Sequence, residues 1–230
     1  MTEPAGVSRE TTGRRIFGAG YETAIAFDEM LRTDGVHRGL VGPREVDRMW
    51  ERHVLNCAVI APAFPEGASV VDVGSGAGLP GVVLAIARPD LRLVLLEPLL
   101  RRASFLEEVV ERLGLASVEV RRGRAEDLHG APGVDVVTAR AVAPMERLVR
   151  WCLPLSRPGG SLLAMKGARA EQELDEAGPV LHELGAAGWA VEEHGAGLVD
   201  PPVRLVRVVA GIRTPAGMRR PQPTRRPRGR

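Results

Sequence analysis

The sequence predicts an α/β domain on a doubly wound, mostly parallel sheet, from three observations. From Ala68 onward, short β-branched runs alternate with helical stretches, the rhythm of βαβ units. The first run ends in a glycine-rich turn, Gly74 to Gly81, that opens a helix. The last two runs are joined only by an irregular loop, too short for a crossover helix, so they should pair antiparallel. A chain of 230 residues, 44% hydrophobic and 26% charged, accommodates one such domain with a small appendage, and excludes a coiled coil, a collagen and a wholly disordered chain.

Each element follows in order. Residues 1–13 are polar and aperiodic and are expected to be disordered. A helical cap is expected over 14–67. One helical pattern runs from Arg14 to Leu31 and a second from Pro43 to about Ile60, where Val46, Met49, Trp50, His53, Val54 and Cys57 recur at spacings of three and four. Residues 68–212 then read as the ligand-binding domain, with seven strands: Ser69 to Val73, Arg92 to Leu96, Val118 to Arg121, Asp135 to Ala139, Ser161 to Lys166, Trp189 to Glu193 and Val203 to Ala210. Helices fill the intervals at Leu79 to Arg88, Leu100 to Leu113, Met145 to Leu155 and Arg169 to Ala187. Residues 213–230 hold seven arginines, four prolines and no acid, the composition of a disordered basic tail. The first 212 residues keep 24 basic against 29 acidic residues, so an acidic body carries a basic arm.

Composition also narrows the compartment. No apolar run approaches the ~18 residues a membrane span needs, and Glu3 stands where a signal peptide wants base, so a cytoplasmic chain without a membrane partner is expected. Cys57 and Cys152 show no CxxC spacing and no His-rich neighbourhood; they read as small buried residues in a reducing compartment, and no metal site is expected.

The chemistry concentrates at the glycine turn. Gly76-Ala77-Gly78-Leu79-Pro80-Gly81 satisfies the dinucleotide pattern GxGxxG, while Asp72-Val73-Gly74-Ser75-Gly76-Ala77-Gly78 satisfies the DxGxGxG pattern of S-adenosylmethionine-dependent methyltransferases. Asp72 tips the choice. A carboxylate at the end of the first strand is badly placed beside a pyrophosphate and well suited to a ligand carrying an ammonium and a sulfonium. Glu97, at the end of the second strand, is the acid expected for ribose hydroxyls under either reading. Arg124-Ala125-Glu126-Asp127-Leu128, after the third strand, offers a backbone N–H and an acid to bracket an adenine ring.

Several stretches together resemble one family. Trp50-Glu51-Arg52-His53, the run Val71 to Gly81, Leu95-Leu96-Glu97 with Arg101-Arg102 and Phe105-Leu106, Ala139-Arg140-Ala141 and Met165-Lys166-Gly167 are similar to the RsmG family of bacterial 16S ribosomal RNA methyltransferases, also called glucose-inhibited division protein B (GidB). The resemblance covers about residues 14–211. It implies a class I, Rossmann-like fold of seven strands, mostly parallel with an antiparallel last strand, under an N-terminal helical cap. It also implies S-adenosyl-L-methionine as cofactor and methylation of N7 of a guanine in the decoding-region loop of 16S rRNA, naked or in the small ribosomal subunit. A monomer is expected, with no DNA partner. Carried over, cofactor contacts fall on Gly74, Leu79, Ala125, Glu126 and Arg140, beside the motif residues Asp72, Gly76, Gly78 and Glu97. The chain departs from the family in having Asn56-Cys57 where many members have Asp-Ser, and Glu97 where they have aspartate.

Guanine N7 has a free lone pair and no proton to lose, so alignment and exclusion of water would carry the reaction. The catalytic candidates are therefore positioning cations at the carboxyl edge: Arg140, ending the fourth strand, and Lys166, ending the fifth and the sole lysine of the chain. His53, on the second cap helix, joins them. Arg121, Arg122 and Arg124 are available to phosphates. The rival readings are a class I methyltransferase acting on a small molecule or protein, a nicotinamide oxidoreductase, and a noncatalytic RNA-binding module. Aromatic residues, at 3%, argue against a module built on base stacking.

Overall fold

The computed structural model describes residues 9–211. Seven strands, β1 (Ser69–Val73), β2 (Arg92–Glu97), β3 (Val118–Arg122), β4 (Val134–Arg140), β5 (Ser156–Lys166), β6 (Ala186–His194) and β7 (Val203–Ala210), form one sheet in the order β3-β2-β1-β4-β5-β7-β6. The first five pair in parallel, and β7 runs antiparallel to both β5 and β6. The sequence reading of a parallel sheet closed by an antiparallel hairpin therefore holds, and the observed strands overlap all seven expected runs.

Alternation along β1 explains the two layers. Val70 faces one apolar core and Val71 and Val73 face the other, because successive side chains leave a strand on opposite sides. On the first face lie the cap helices α1 (Arg9–Phe17), α2 (Tyr21–Met30) and α3 (Asn56–Ala58), together with α4 (Gly81–Ala87) and α5 (Leu100–Leu113). On the second lie α6 (Met145–Cys152), α7 (Ala170–Glu176) and α8 (Gly178–Glu183). The cap shares its core with the sheet: Phe27, Leu31 and Trp50 are buried in one cluster with Val82, Leu95 and Phe105. Cys57 and Cys152 are both buried and free.

Several elements differ from expectation. The helix expected from Arg14 to Leu31 is split by a 3-10 turn at Gly18–Gly20, and the one expected from Met145 to Leu155 ends at Cys152, before a 3-10 turn Leu153–Leu155. Residues 9–13 are helical rather than disordered: α1 docks through Arg9, which pairs with Asp28 at 2.7 Å and lies over the Trp50 ring. Gly13 lets the helix approach closely, since a Cβ there would fall 2.5 Å from the Tyr21 ring. An apolar-periodicity reading misses a helix held by an ion pair and a glycine contact. The second cap helix is three pieces, a 3-10 segment Pro43–Arg48, a π-helical segment Met49–Leu55, and α3. The expected helix from Arg169 to Ala187 is broken at Ala177, before Gly178 and Pro179, into α7 and α8. The rest of the expected disordered N-terminus and the basic tail lie outside the described residues. No helix among the described residues is long and apolar enough to cross a membrane.

Candidate active site

The carboxyl edge of a parallel sheet is where loops leave the strands on opposite faces and a crevice opens. At the end of β1 the chain turns through Gly74, Gly76 and Gly78, all in the left-handed region with φ of 71°, 59° and 94°, which glycine adopts without the Cβ penalty. The loop is latched at two points. Beneath it, the Ser75 hydroxyl donates to the Asp72 carbonyl oxygen at 2.9 Å and the Gly81 N–H donates to Asp72 Oδ2 at 3.0 Å. Beside it, the Glu97 carboxylate accepts the Gly76 N–H and the Leu99 N–H, each at 3.0 Å.

Three adjoining cavities follow the edge. The first, of about 600 Å³, lies between the glycine loop and the cap, bounded by Gly74, Gly76, Leu79, Glu97, His53 and Arg140 among others. A smaller one of about 290 Å³ opens beside it between Gly74, Pro98, Ala125, Glu126, Val142 and Trp151. The largest, about 760 Å³, lies on the far side between β5, β7 and the cap, and Arg52, Asn56, Arg140, Lys166, Glu173 and Arg204 line it. Arg140, Ala141 and Val142 belong to the walls of both large cavities. Ala141 is the only non-glycine with positive φ among the described residues, at 54°. The chain leaves β4 through that conformation and forms the partition.

The residues fit a nucleoside cofactor. A Cβ at Gly76 would meet only the Gly74 carbonyl oxygen, at 3.8 Å, and would project into the space the loop leaves open. Glu97 stands at the β2 end with each oxygen holding a single backbone donor, which leaves lone pairs for hydroxyls. The small cavity, with Val73, Leu96 and Trp151 in its wall, is a slot for a flat apolar ring, and Ala125 opens the 3-10 turn Ala125–Leu128, whose first N–H groups have no intrahelical acceptor.

Asp72 is placed differently from its sequence reading. It is wholly buried beneath the glycine loop and lines none of the three cavities, so the expected exposure of its carboxylate to the ligand is not found. Its Oδ1 has no hydrogen-bond partner. Burial raises the carboxyl group to about 7, against the hydrogen bond from the Gly81 N–H and the charge of Arg140, which lower it. Gly78 also stands apart from the cavities: a Cβ there would fall 2.6 Å from Val82 and 3.1 Å from Phe27, so it seats the loop on the cap.

Arg140 crosses from β4 to the cap. Its Nη2 donates to His53 Nδ1, and its Nη1 contacts Cys57 Sγ at 3.1 Å. No carboxylate of the described residues forms an ion pair with it. His53 Nε2 lies 2.9 Å from Glu45 Oε2. Burial holds the imidazole below its ordinary value; the Glu45 hydrogen bond raises it and the Arg140 charge lowers it. Lys166, with a side chain 9% exposed, donates to Glu173 at 2.8 Å and to the Ala143 carbonyl oxygen at 2.7 Å. That bond keeps Glu173 below the usual carboxylate range.

The sequence candidates thus converge on one edge, with Asp72 and Gly78 behind it. Glu45, Glu173 and the Ala141 turn escaped the sequence reading. Glu45 and His53 are eight residues apart, about 12 Å along the axis of a regular α-helix, and the chain breaks at Arg48 between the 3-10 and π-helical segments that carry them. Glu173, on α7, meets Lys166 at the β5 end across seven positions of chain.

A profile of the family described as rRNA small subunit methyltransferase G, GidB, matches residues 21–194. The chain is 56% identical over 199 residues to ribosomal RNA small subunit methyltransferase G of Streptomyces avermitilis, covering 86% of this chain and 84% of that one. It is 54% identical over 205 residues to the enzyme of the same name from Salinispora tropica, covering 86% and 85%. Among solved structures, a SAM-dependent O-methyltransferase from Thermotoga maritima superposes with a TM-score of 0.55 at 18% identity, covering 74% of this chain and 71% of that one. A Corynebacterium glutamicum protein superposes at 0.50 and 20% identity, covering 82% and 91%. These two likenesses concern the fold.

Proposed function

The chain belongs to the rRNA small subunit methyltransferase G family, and from that premise we propose that it transfers a methyl group from S-adenosylmethionine to N7 of a guanine in the decoding-region loop of 16S rRNA. It is an enzyme that uses S-adenosylmethionine and modifies small-subunit ribosomal RNA. The single observation that supports the site assignment is the partition: Arg140, Ala141 and Val142 separate a loop-bound cavity from a larger one that reaches the molecular edge.

The cofactor supplies an electrophilic methyl group on a positively charged sulfur. Gly74, Gly76 and Leu79 would hold its amino-acid portion and ribose from the loop, Glu97 would accept from the ribose hydroxyls, and Ala125 and Glu126 would border the adenine. The acceptor nucleotide belongs in the large cavity, where Arg52, Arg140 and Arg204 oppose the charge of a phosphate and Lys166 is held rigid by Glu173. Because N7 needs no deprotonation, the residues act by orientation and by excluding water; alignment alone supplies as much as ~7–11 kcal/mol in favourable intramolecular cases. We read the enzyme as cytoplasmic and monomeric, with the small-subunit RNA as its partner.

Transfer of labelled methyl to 16S rRNA and small subunits from a strain lacking the activity, mapped at nucleotide resolution, tests this reading. A single N7-methylguanine in the decoding-region loop is expected. Label on a protein or small molecule instead of RNA would overturn it.

A further inference from the structure

We propose that His53 is a positioning residue: from the helical cap it fixes the Arg140 guanidinium in the wall between the two large cavities, and only its neutral form can do so. The inference rests on the reading above that this wall is where methyl transfer occurs.

The argument begins with donors and acceptors. A guanidinium has five N–H donors and no acceptor. Arg140 Nη2 therefore needs a lone pair at His53 Nδ1, and the ring proton of the neutral imidazole must sit on Nε2. That nitrogen lies 2.9 Å from Glu45 Oε2, an acceptor. Both ring nitrogens are thus assigned by what faces them. The other contacts of Arg140 are also on the cap, with Cys57 Sγ at 3.1 Å and the His53 carbonyl oxygen at 3.5 Å. The residue that borders both cavities is consequently oriented by the cap rather than by an ion pair of the sheet.

Protonation of His53 would place N–H against N–H and cation against cation at Nδ1. The charged groups facing the ring come from several elements. Glu45 and Arg48 lie on the cap, Arg140 arrives from β4, and Glu97 of β2 and Arg102 of α5 line the same cavity. The Cys57 thiol shares Arg140, and the buried Asp72 of β1 feels the Arg140 charge. Glu45 favours the imidazolium; burial, Arg140 and Arg48 oppose it, and burial is the largest influence. The neutral tautomer is the state the surroundings select at neutral pH, and acid removes it.

The test is single-turnover methylation of 16S rRNA by the full-length protein from pH 5 to 9, in wild type and in His53→Ala, His53→Asn and His53→Gln, beside NMR of the imidazole nitrogens in the wild type without RNA. The wild-type rate should fall with one proton on the acid side, with a midpoint below the ordinary histidine value of about 6.5. His53→Ala should lose at least about tenfold at every pH without that limb, in the rate of transfer at saturating cofactor. An amide oxygen accepts from arginine without titrating, so His53→Asn or His53→Gln should restore part of the lost rate with no acid limb. An undiminished rate in His53→Ala, or the same acid limb in an active amide variant, would overturn the inference. NMR should show a neutral ring protonated on Nε2 at pH 7, and a proton on Nδ1 would overturn it even where the variants do not fold. Failure of the wild type to methylate RNA would count against the functional reading instead, and the tautomer would still decide for or against His53.

Discussion

The Gly81 N–H donates to Asp72 Oδ2 at 3.0 Å across the glycine loop, so the acid that looks like a ligand contact in the sequence is the latch that fixes the loop to the first turn of α4. Asp72→Asn keeps an acceptor for that N–H, whereas Asp72→Ala does not. By calorimetry, the alanine variant should lose at least about tenfold in S-adenosylmethionine affinity, ~1.4 kcal/mol, and the asparagine variant should stay within about threefold of wild type.

The same burial gives Asp72 a pH signature. Its carboxyl group is raised from 3.8 to about 7 in the folded protein. Between those values the folded state holds a proton that the unfolded chain has released. Its contribution to stability is therefore fully present below 3.8 and is lost as pH rises through about 7. Denaturant titrations of wild type and Asp72→Asn across this window should differ in slope, the variant lacking this component.

Gly76 and Gly78 sit two residues apart and should respond to alanine to different extents. At Gly76 the added methyl meets open space over the cavity, so stability should fall by only about 1 kcal/mol while cofactor binding weakens. At Gly78 it strikes Val82 and Phe27, so Gly78→Ala should cost roughly 2–4 kcal/mol and unseat the cap, read as a lower denaturation midpoint.

Lys166 anchors the wall of the larger cavity through Glu173 and the Ala143 carbonyl oxygen. Lys166→Met should slow single-turnover methylation by at least about tenfold, equivalent to ~1.4 kcal/mol of barrier. Cofactor affinity should be unchanged, because Lys166 lines the cavity on the other side of the partition.

The arginine-rich segment 213–230 lies outside the described residues, yet its seven charges oppose those of the body. If about four of them meet phosphates of looped RNA, each contributes about −0.7 to the slope of log affinity against log salt, roughly −3 together. Deleting the segment should flatten that slope, with cofactor affinity unaltered. Equal slopes for the full and shortened chains would remove it from RNA binding.

The elements legible in the sequence were those whose geometry is local. The β-branched runs, the Gly74–Gly81 turn and α5, whose ends match the expected Leu100 and Leu113, follow from periodicity and punctuation. The carboxyl-edge placement of Arg140, Lys166 and Glu97 followed from strand direction alone. Contacts between distant segments did not. Burial of Asp72 depends on α4 folding directly over it, the His53–Arg140 bond spans 87 positions, and α1 is held by Arg9 reaching Asp28. A spacing rule carries no information about which side chain a loop will cover.

Because β7, the last strand among the described residues, lies between β5 and β6, synthesis on the ribosome leaves these two strands unpaired with each other or with β7 until Val203–Ala210 has emerged. Before then the β5 edge exposes unpaired backbone groups, and β6 has no neighbour to join, a state prone to pairing with other chains. A truncation within Val203–Ala210 would strand two edges at once rather than trim one, and premature termination there would yield aggregate instead of a weakened enzyme.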